Sequence, residues 1–297
     1  MKGLVLINAY PNGEKFYRQA ERIAEELRGF GVETDVVKNG QIVSVVDADG
    51  GIFVEGVQKY DFCVYLDKDK YLGRVLETCG LRLFNSAKSV EICDDKVSTY
   101  LALSRSGVKL AKMIPAPLCY TPNATPNEVF LEKVAKELKF PIVVKKSYGS
   151  FGAGVLLARN AEELYAAAQE CLHVPHFYQE YVAESAGRDV RVIVVGGKAI
   201  AAMERVAQAG EFRSNVELGG KGKKIALSAE YAKTAERAAQ TLGLDYCGVD
   251  LLEGSQGAVV CEVNSNAFFE GLEKTTGVNV ARAYAEYIVR TLSENVL

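Results

Sequence analysis

The segment Gly248–Asn264 narrows what this chain can fold into more than any other. Two apolar runs, Val249–Leu252 and Ala258–Val263, are broken only by Asp250 and Glu262, and the second ends on Asn264. Runs of this length around Gly254-Ser255-Gln256-Gly257 predict a hairpin. Residues two apart on a strand share a face, so Glu262 and Asn264 point the same way. A three-residue turn, Ser255-Gln256-Gly257, with Gly257 in the left-handed slot, pairs Gly254 with Ala258 and Leu252 with Val260. Asp250 then faces Glu262 directly. Facing carboxylates repel unless a cation joins them. An oxygen-only set without His or Cys suits Mg²⁺ or Mn²⁺, and Mg²⁺ usually shares its shell with phosphates. Spacing alone equally admits a half-exposed hairpin with solvated acids.

At 297 residues the chain is long enough for two domains or one composite domain. Its formal charge of -3 gives no support to a general nucleic-acid or membrane-surface binder. The seven cysteines never form a Cys-x-x-Cys pair, which argues against zinc ribbons and thioredoxin chemistry. Most lie in apolar strings, such as Phe62-Cys63-Val64 and Val259-Val260-Cys261, and read as small core residues of a reduced, cytoplasmic protein. The opening Gly3-Leu4-Val5-Leu6-Ile7 is too short for a signal segment, and no run approaches the ~20 apolar residues of a membrane span. With only two histidines, a His-based triad is not expected, and His173 and His176 read as loop surface.

The first ninety residues alternate strand and helix signals: Leu4–Ile7, Phe16–Phe30, Val32–Val37, Asp61–Leu66 and Tyr71–Thr78. A hairpin, Ile42–Val46 with Ile52–Val54, interrupts them. That succession argues for a parallel sheet in an α/β domain. A helix is expected from about Ala87 to Ser106, and the proline-rich stretch 115–126 is extended or turning. Beyond it come a strand at Ile142–Lys145, the glycine loop Gly149–Gly154 and a strand at Val155–Ala158. Strands at Phe177–Tyr181, Val190–Val195 and Lys198–Met203 follow, then a polar loop at 207–224 and helices at Ala229–Leu242 and Val280–Leu292.

The glycine loop carries the second chemical signal, because glycines let backbone N–H groups approach a phosphate and Lys145 supplies charge. A Walker A loop would end in Gly-Lys-Ser/Thr, which is missing. A Rossmann fingerprint would run into a helix, whereas Val155-Leu156-Leu157-Ala158 reads as a strand. Strand, glycine loop, strand has the shape of a lid over a nucleotide, although a plain hairpin turn also uses glycine. Lys96 follows Asp94-Asp95, where a solvated face is the bland alternative. Arg213 and Asn215 lie in a polar loop, and Gly219-Gly220-Lys221-Gly222-Lys223-Lys224 reads as a mobile basic loop, with a phosphate or acidic-substrate site as the alternative.

Together the ordered pieces resemble the ATP-grasp ligases, and within them the RimK-like branch of glutamate ligases. The resemblance runs from Asn85-Ser86-Ala87 through Cys93-Asp94-Asp95-Lys96 to the C-terminus. It is carried by Phe212-Arg213-Ser214-Asn215, Gly248-Val249-Asp250, Glu262-Val263-Asn264 and the string from Glu270 to Gly277. It implies an α/β (α+β) ATP-grasp fold: an N-terminal Rossmann-like domain over residues 1–86, then a two-lobed ATP-grasp domain over 87–297. The lid is expected at about 115–182 and the C-terminal lobe at about 183–297, with ATP between antiparallel sheets. Lys96 and Lys145 then resemble the lysines that reach ATP phosphates, with Gly149, Ser150 and Gly152 above them. Gln179, Glu180, Tyr181 and Val182 resemble the strand that holds the adenine, and Asp189 an acid near the nucleoside. Arg205 and Arg213 resemble the guanidiniums near the transferring phosphate, with Asn215 a companion donor. Asp250, Glu262 and Asn264 resemble the ligands of Mg²⁺ or Mn²⁺, as a pair of ions.

The implied reaction joins a carboxylate to an amine through an acyl phosphate, with glutamate or another amino acid added to a peptide, protein tail or small molecule. Carboxylate is already ionised at neutral pH, so phosphorylation needs cations and positioning rather than a general base. After Asn264 the branch commonly continues with a small residue, Ser, Pro and Gly. Here Ser265-Asn266-Ala267-Phe268-Phe269 follows, which places two phenylalanines as an apolar wall beside the acceptor pocket and leaves the acceptor open. The expected partners are therefore small molecules or peptides, not nucleic acid or membrane, in a homo-oligomer (dimer or tetramer). Rival readings are a small-molecule dipeptide or cofactor ligase, an ATP-binding sensor without turnover, and, more distantly, a dehydrogenase.

Overall fold

A computed structural model describes every residue except 12, 151, 153, 209–210, 215–218 and 295–297. The first unit is a parallel sheet in the order β2-β1-β5-β6, formed by β1 (Lys2–Ile7), β2 (Glu33–Lys38), β5 (Phe62–Leu66) and β6 (Arg82–Phe84). β1 and β5 are apolar on both faces because both are covered. On one side, Leu4, Leu6, Cys63 and Tyr65 meet α2 (Lys70–Thr78) and α3 (Ala87–Asp94). On the other, Val5, Ile7, Phe62 and Val64 meet α1 (Lys15–Gly29) and the C-terminal helix α9 (Val280–Glu294). Gly3 lets β1 lie against the Phe62 ring, where a Cβ would stand 2.5 Å from Cζ. β3 (Ser44–Val46) and β4 (Ile52–Val54) form the expected hairpin.

The helix expected over residues 87–106 is two helices, α3 and α4 (Lys96–Leu103), broken at an extended Asp95. The Asp95 carboxylate accepts the Val97 N–H at 2.9 Å, while the Lys96 N–H donates to the Ser147 carbonyl at 3.0 Å instead of continuing a helix. The break thus ties α4 to the strand that leads into the glycine loop. β7 (Lys109–Leu110) joins the third sheet and β8 (Met113–Pro115) the second.

The second sheet is antiparallel, β10-β9-β11-β8, of β9 (Ile142–Lys146), β10 (Val155–Ala158), β11 (His176–Glu180) and β8. Helices α5 (Glu128–Leu138) and α6 (Ala161–Cys171) cover one face through Leu131, Val134, Ile142, Val144 and Leu164. Alternation along β9 sends Val143 and Lys145 to the opposite, uncovered face. His176 is not loop surface. It is buried in β11, with Nδ1 2.9 Å from the Val174 carbonyl and Nε2 3.1 Å from the Tyr178 hydroxyl, and burial lowers its pKa.

The third sheet runs β14-β13-β12-β15-β16-β7, with β12 (Arg188–Val195), β13 (Lys198–Val206), β14 (Lys221–Lys224), β15 (Tyr246–Gly254) and β16 (Gly257–Asn264). The basic segment 221–224, expected as a loop, is a strand paired with β13, from Met203↔Lys224 to Val206↔Lys221. One face of this sheet packs on α7 (Ala229–Leu242) through Val192, Val194, Val249, Leu251 and Val263. Toward the first unit, Ile193, Val195 and Tyr246 on the other face pack with α9, while Asp189 and Arg191 continue that face to the cavities they line. α8 (Glu270–Thr276) closes the chain's path to α9.

Candidate active site

The hairpin β15–β16 pairs Asp250 with Glu262, as expected, but by another route. The turn has two residues, since Gly254 pairs with Gly257 and Leu252 with Val259; alone, that would misplace Glu262. A bulge corrects it: Leu251 pairs with Val260 and Asp250 with Glu262, so Cys261 is the extra residue. Val260 and Val263 still point into the α7 core, while Cys261 and Glu262 both line the cleft. Cys261 is therefore not a core residue, as its apolar string suggested. Lys145 Nζ lies 3.6 Å from its Sγ.

The acids sit in a cross-strand row of charges. Arg191 pairs with Asp250 across the ladder and grips it with two bonds, Nε to Oδ1 and Nη2 to Oδ2, each 2.7 Å. Arg205 on β13 stands opposite Asp189 on β12, with Nε 2.7 Å from Oδ1, and reaches Asp250 Oδ2 with Nη2 at 2.9 Å. Arg205 is 3% exposed. Burial opposes its charge, but Asp250 and Asp189 outweigh burial and hold the guanidinium protonated. Burial likewise pushes the Asp250 carboxyl up, and the two guanidiniums reverse this and hold it below the usual carboxylate range. Asn264 donates to Asp250 at 3.4 Å, and Lys96 Nζ lies 3.4 Å from Glu262 Oε1.

A solvent-open cleft of about 860 Å³ runs between this face and the bare face of the second sheet. Lys96, Lys145, Gly149, Ser150, Gly152, Gln179, Glu180, Tyr181, Val182, Asp189, Arg205, Arg213, Asp250 and Glu262 all line it. Lys96 Nζ also donates to the Gly149 carbonyl at 2.8 Å, and Arg213 Nη1 to the Gly152 carbonyl at 3.1 Å. The glycine loop is thereby held from both sides. Gly149 and Gly152 take positive φ, which the loop's turns require. Glu211 holds Arg213 at 2.8 Å, and that pairing lowers the Glu211 pKa to about 2. Glu180 Oε1 accepts the Lys112 N–H at 2.7 Å, and Gln179 donates to the Tyr100 hydroxyl. Asn215 lies outside the described residues.

Asn264 lines a second cavity, of about 1160 Å³, that meets the first at Ser150, Arg205 and Glu262. It lies between the first sheet's carboxyl ends, at Asn8, Leu66 and Asp67, and the loop 265–268. That loop is tied down by Asn266, which donates to the Leu66 carbonyl at 2.8 Å, and by Gln19, which donates to Asn266 and Ala267. Of the two phenylalanines expected as a wall, Phe268 lines the cavity, whereas Phe269 is 2% exposed in the core. Sequence reasoning also missed Arg191. Its signal was the alternation itself, because Arg191 lies two residues beyond Asp189 on one strand face.

The donors Asp250, Glu262 and Asn264 suit a hard divalent cation: all offer oxygen, and they converge on one patch already ringed by cations. Among the described residues no group of three or more His, Cys, Asp or Glu gathers as a metal site.

A family profile described as a RimK-like ATP-grasp domain matches residues 93–288. A protein named probable alpha-L-glutamate ligase 2, from Pseudoalteromonas atlantica, is 38% identical over 224 residues, 75% of this chain and 72% of its own length. Beta-citrylglutamate synthase B of Danio rerio is 36% identical over 231 residues, 77% of this chain but 56% of its own length. Among solved structures, a D-alanine–D-alanine ligase from Bacillus anthracis complexed with ATP is similar at a TM-score of 0.73 and 18% identity, covering 98% of this chain and 97% of that one. At that identity the likeness speaks for the fold.

Proposed function

The chain belongs to the RimK-like ATP-grasp family, and from that premise we propose how its residues divide the work of an ATP-dependent carboxylate–amine ligase. Glutamate is the amine-bearing substrate of this reading, since both curated relatives are named for glutamate products or ligation. The carboxylate belongs to a peptide, protein tail or small molecule. On the same reading, residues 1–86 are the preceding α/β domain, 87–297 the ATP-grasp domain and about 115–182 its lid. The protein works in the cytoplasm as a homo-oligomer. Among the described residues no helix is long and apolar enough to cross a membrane.

The observation that carries the assignment is the single cleft in which two lysines, two arginines, a glycine loop and the acid row converge. Glu180, Tyr181 and Val182, at the end of β11 and just beyond it, hold the adenine, and Asp189 lies toward the nucleoside. Lys145 and Lys96 reach the phosphates beneath Gly149, Ser150 and Gly152. Arg213, tied to the loop at Gly152, reaches the transferring phosphoryl group only when the loop is down, which couples closure to chemistry. Asn215 is its companion donor. Arg205 uses Nε and Nη2 on Asp189 and Asp250, and its Nη1, which makes no hydrogen bond among the described residues, serves the phosphoryl oxygens. Asp250, Glu262 and Asn264 would hold Mg²⁺, as two ions, which neutralises charge on the phosphoryl oxygens when bound. The substrate carboxylate attacks the γ-phosphorus, ADP leaves, and the amine displaces phosphate from the acyl group. A closed lid keeps water from the acyl phosphate.

ADP release from ATP and Mg²⁺ against paired amino acids, peptides and carboxylic acids, with mass spectrometry of the products, tests this reading. A product equal to both partners minus water, with L-glutamate as one partner, is expected. ATP binding without ADP from any pair, cell-extract peptides included, would overturn it.

A further inference from the structure

The second cavity holds a charge that this mechanism does not use. Asp67 follows β5 at the carboxyl end of the parallel sheet, the edge where open α/β sheets place ligands. It lines the cavity although it is only 6% exposed. Its Oδ2 accepts Asn39 Nδ2 at 2.6 Å, and its Oδ1 accepts Asn8 Nδ2 at 3.1 Å and the Lys68 N–H at 2.7 Å. All three donors are neutral. No cation among the described residues forms an ion pair with it; the neighbouring Lys68 ammonium turns instead to Asp94 at 2.6 Å and Ser150 at 3.2 Å. Burial raises the Asp67 pKa, as befits a carboxylate without positive company.

Every other buried acid of the site has its cation: Asp189 has Arg205, and Asp250 has Arg191 and Arg205. Hydrogen bonds from neutral donors hold the Asp67 carboxylate in part, and an ammonium group entering the cavity would add the charge-assisted bond that its neighbours lack. The cavity has room for that partner, and it opens at its other side on Glu262 and Asn264. Phe16 and Phe268, edge to face with centroids 4.9 Å apart, wall the cavity and already hold the Lys15 ammonium, 5.9 and 4.9 Å from their ring centroids.

We propose that Asp67 is a specificity-determining residue that holds a protonated amine on the same substrate molecule whose carboxylate is phosphorylated beside Glu262. The inference rests on the ligase reading and narrows its carboxylate substrate to zwitterionic or cationic molecules.

Hydroxylamine replaces the unidentified amine in the test. Its nitrogen forms a bond to the acyl carbon as the carbon–oxygen bond to phosphate breaks, giving a hydroxamate and inorganic phosphate. Carboxylates are offered in pairs that differ only in the amine, namely amino acids or dipeptides and their desamino counterparts. The wild-type protein should favour the ammonium-bearing member by about thirtyfold or more in kcat/KM. In Asp67→Asn the preference should fall below about threefold, with the loss mainly in KM and the KM for ATP unchanged. Should that variant not fold, the wild-type preference decides alone. Equal use of both members by the wild type, or an undiminished preference in the variant, overturns the Asp67 assignment and leaves the ligase reading standing. ATP binding with no ADP or hydroxamate from any carboxylate overturns both.

Discussion

Asp250 gathers more of the site's electrostatics than any other single residue. Its two oxygens meet Arg191 and Arg205, and its strand neighbour is a second acid, Glu262. Its pKa of about 2, against 3.8 for an ordinary Asp, means that the folded state favours the ionised form. The resulting stability is fully present above about pH 4 and is lost as pH falls toward 2. Denaturation curves between pH 5 and 2 should therefore show an acid-side loss that shrinks in Asp250→Asn. Arg205→Met leaves Asp189 without the cation it pairs with and removes one of the two that pair with Asp250. We expect a destabilisation of about 3–5 kcal/mol in urea titrations; a loss under 1 kcal/mol would show that water replaces the guanidinium freely. Glu262→Gln should abolish ADP release while calorimetry still detects ATP binding. Wild-type turnover from that variant would remove Glu262 from the proposed metal trio.

The β15–β16 hairpin shows how an element can reach its expected end by an unexpected register. The two-residue turn alone would carry Glu262 out of line with Asp250, and the extra residue, Cys261, restores the pairing. Deleting Cys261 would turn the bulge into regular strand, with Val260 and Val263 still toward α7 and Glu262 still toward the cleft opposite Asp250. Such a deletion should fold and retain ADP release; loss of both would show that the bulge itself is required. Cys261→Ala keeps the bulge and should leave kcat within about threefold, because the thiol supplies no charge: burial holds its pKa above the ordinary value. Loss of activity in Cys261→Ala would assign the chemistry to the sulfur.

Across the whole molecule, the second cavity lies on a joint between the first sheet and the last. Asn85 locks that joint from a buried position. Its Nδ2 donates to the carbonyls of Tyr246 and Ser265 at 2.7 and 2.9 Å, and its Oδ1 accepts the N–H groups of Asp245 and Tyr246 at 2.7 and 3.0 Å. Gly248 lets the loop approach, since a Cβ there would meet Ala267 at 2.6 Å. Asn85→Ala leaves these groups buried without partners and should destabilise by at least about 2 kcal/mol. Steady-state kinetics should show KM for the carboxylate substrate rising more than KM for ATP, because the cleft proposed for the nucleotide lies between the second and third sheets. An equal rise in both would mean that the two cavities move as one.

Periodicity and chemistry were local enough to read from the chain. The apolar runs of β1 and β5, the helical spacing of α1, the glycine loop between two strands and the shared face of Glu262 and Asn264 follow from patterns within a few residues, whereas the bulge that sets Asp250 opposite Glu262 does not. The family resemblance is legible too, because it depends on motif order rather than on distance. Tertiary structure alone decided what depends on partners remote in sequence. The break at Asp95 follows from a hydrogen bond to Ser147, the strand at 221–224 from the free edge of β13, and the burial of Phe269 from the core that α9 completes. The unpaired charge on Asp67 belongs to the same class. Whether a carboxylate has a cation beside it is a matter of distance, and the nearest lysine in sequence, Lys68, gives its ammonium to Asp94 instead.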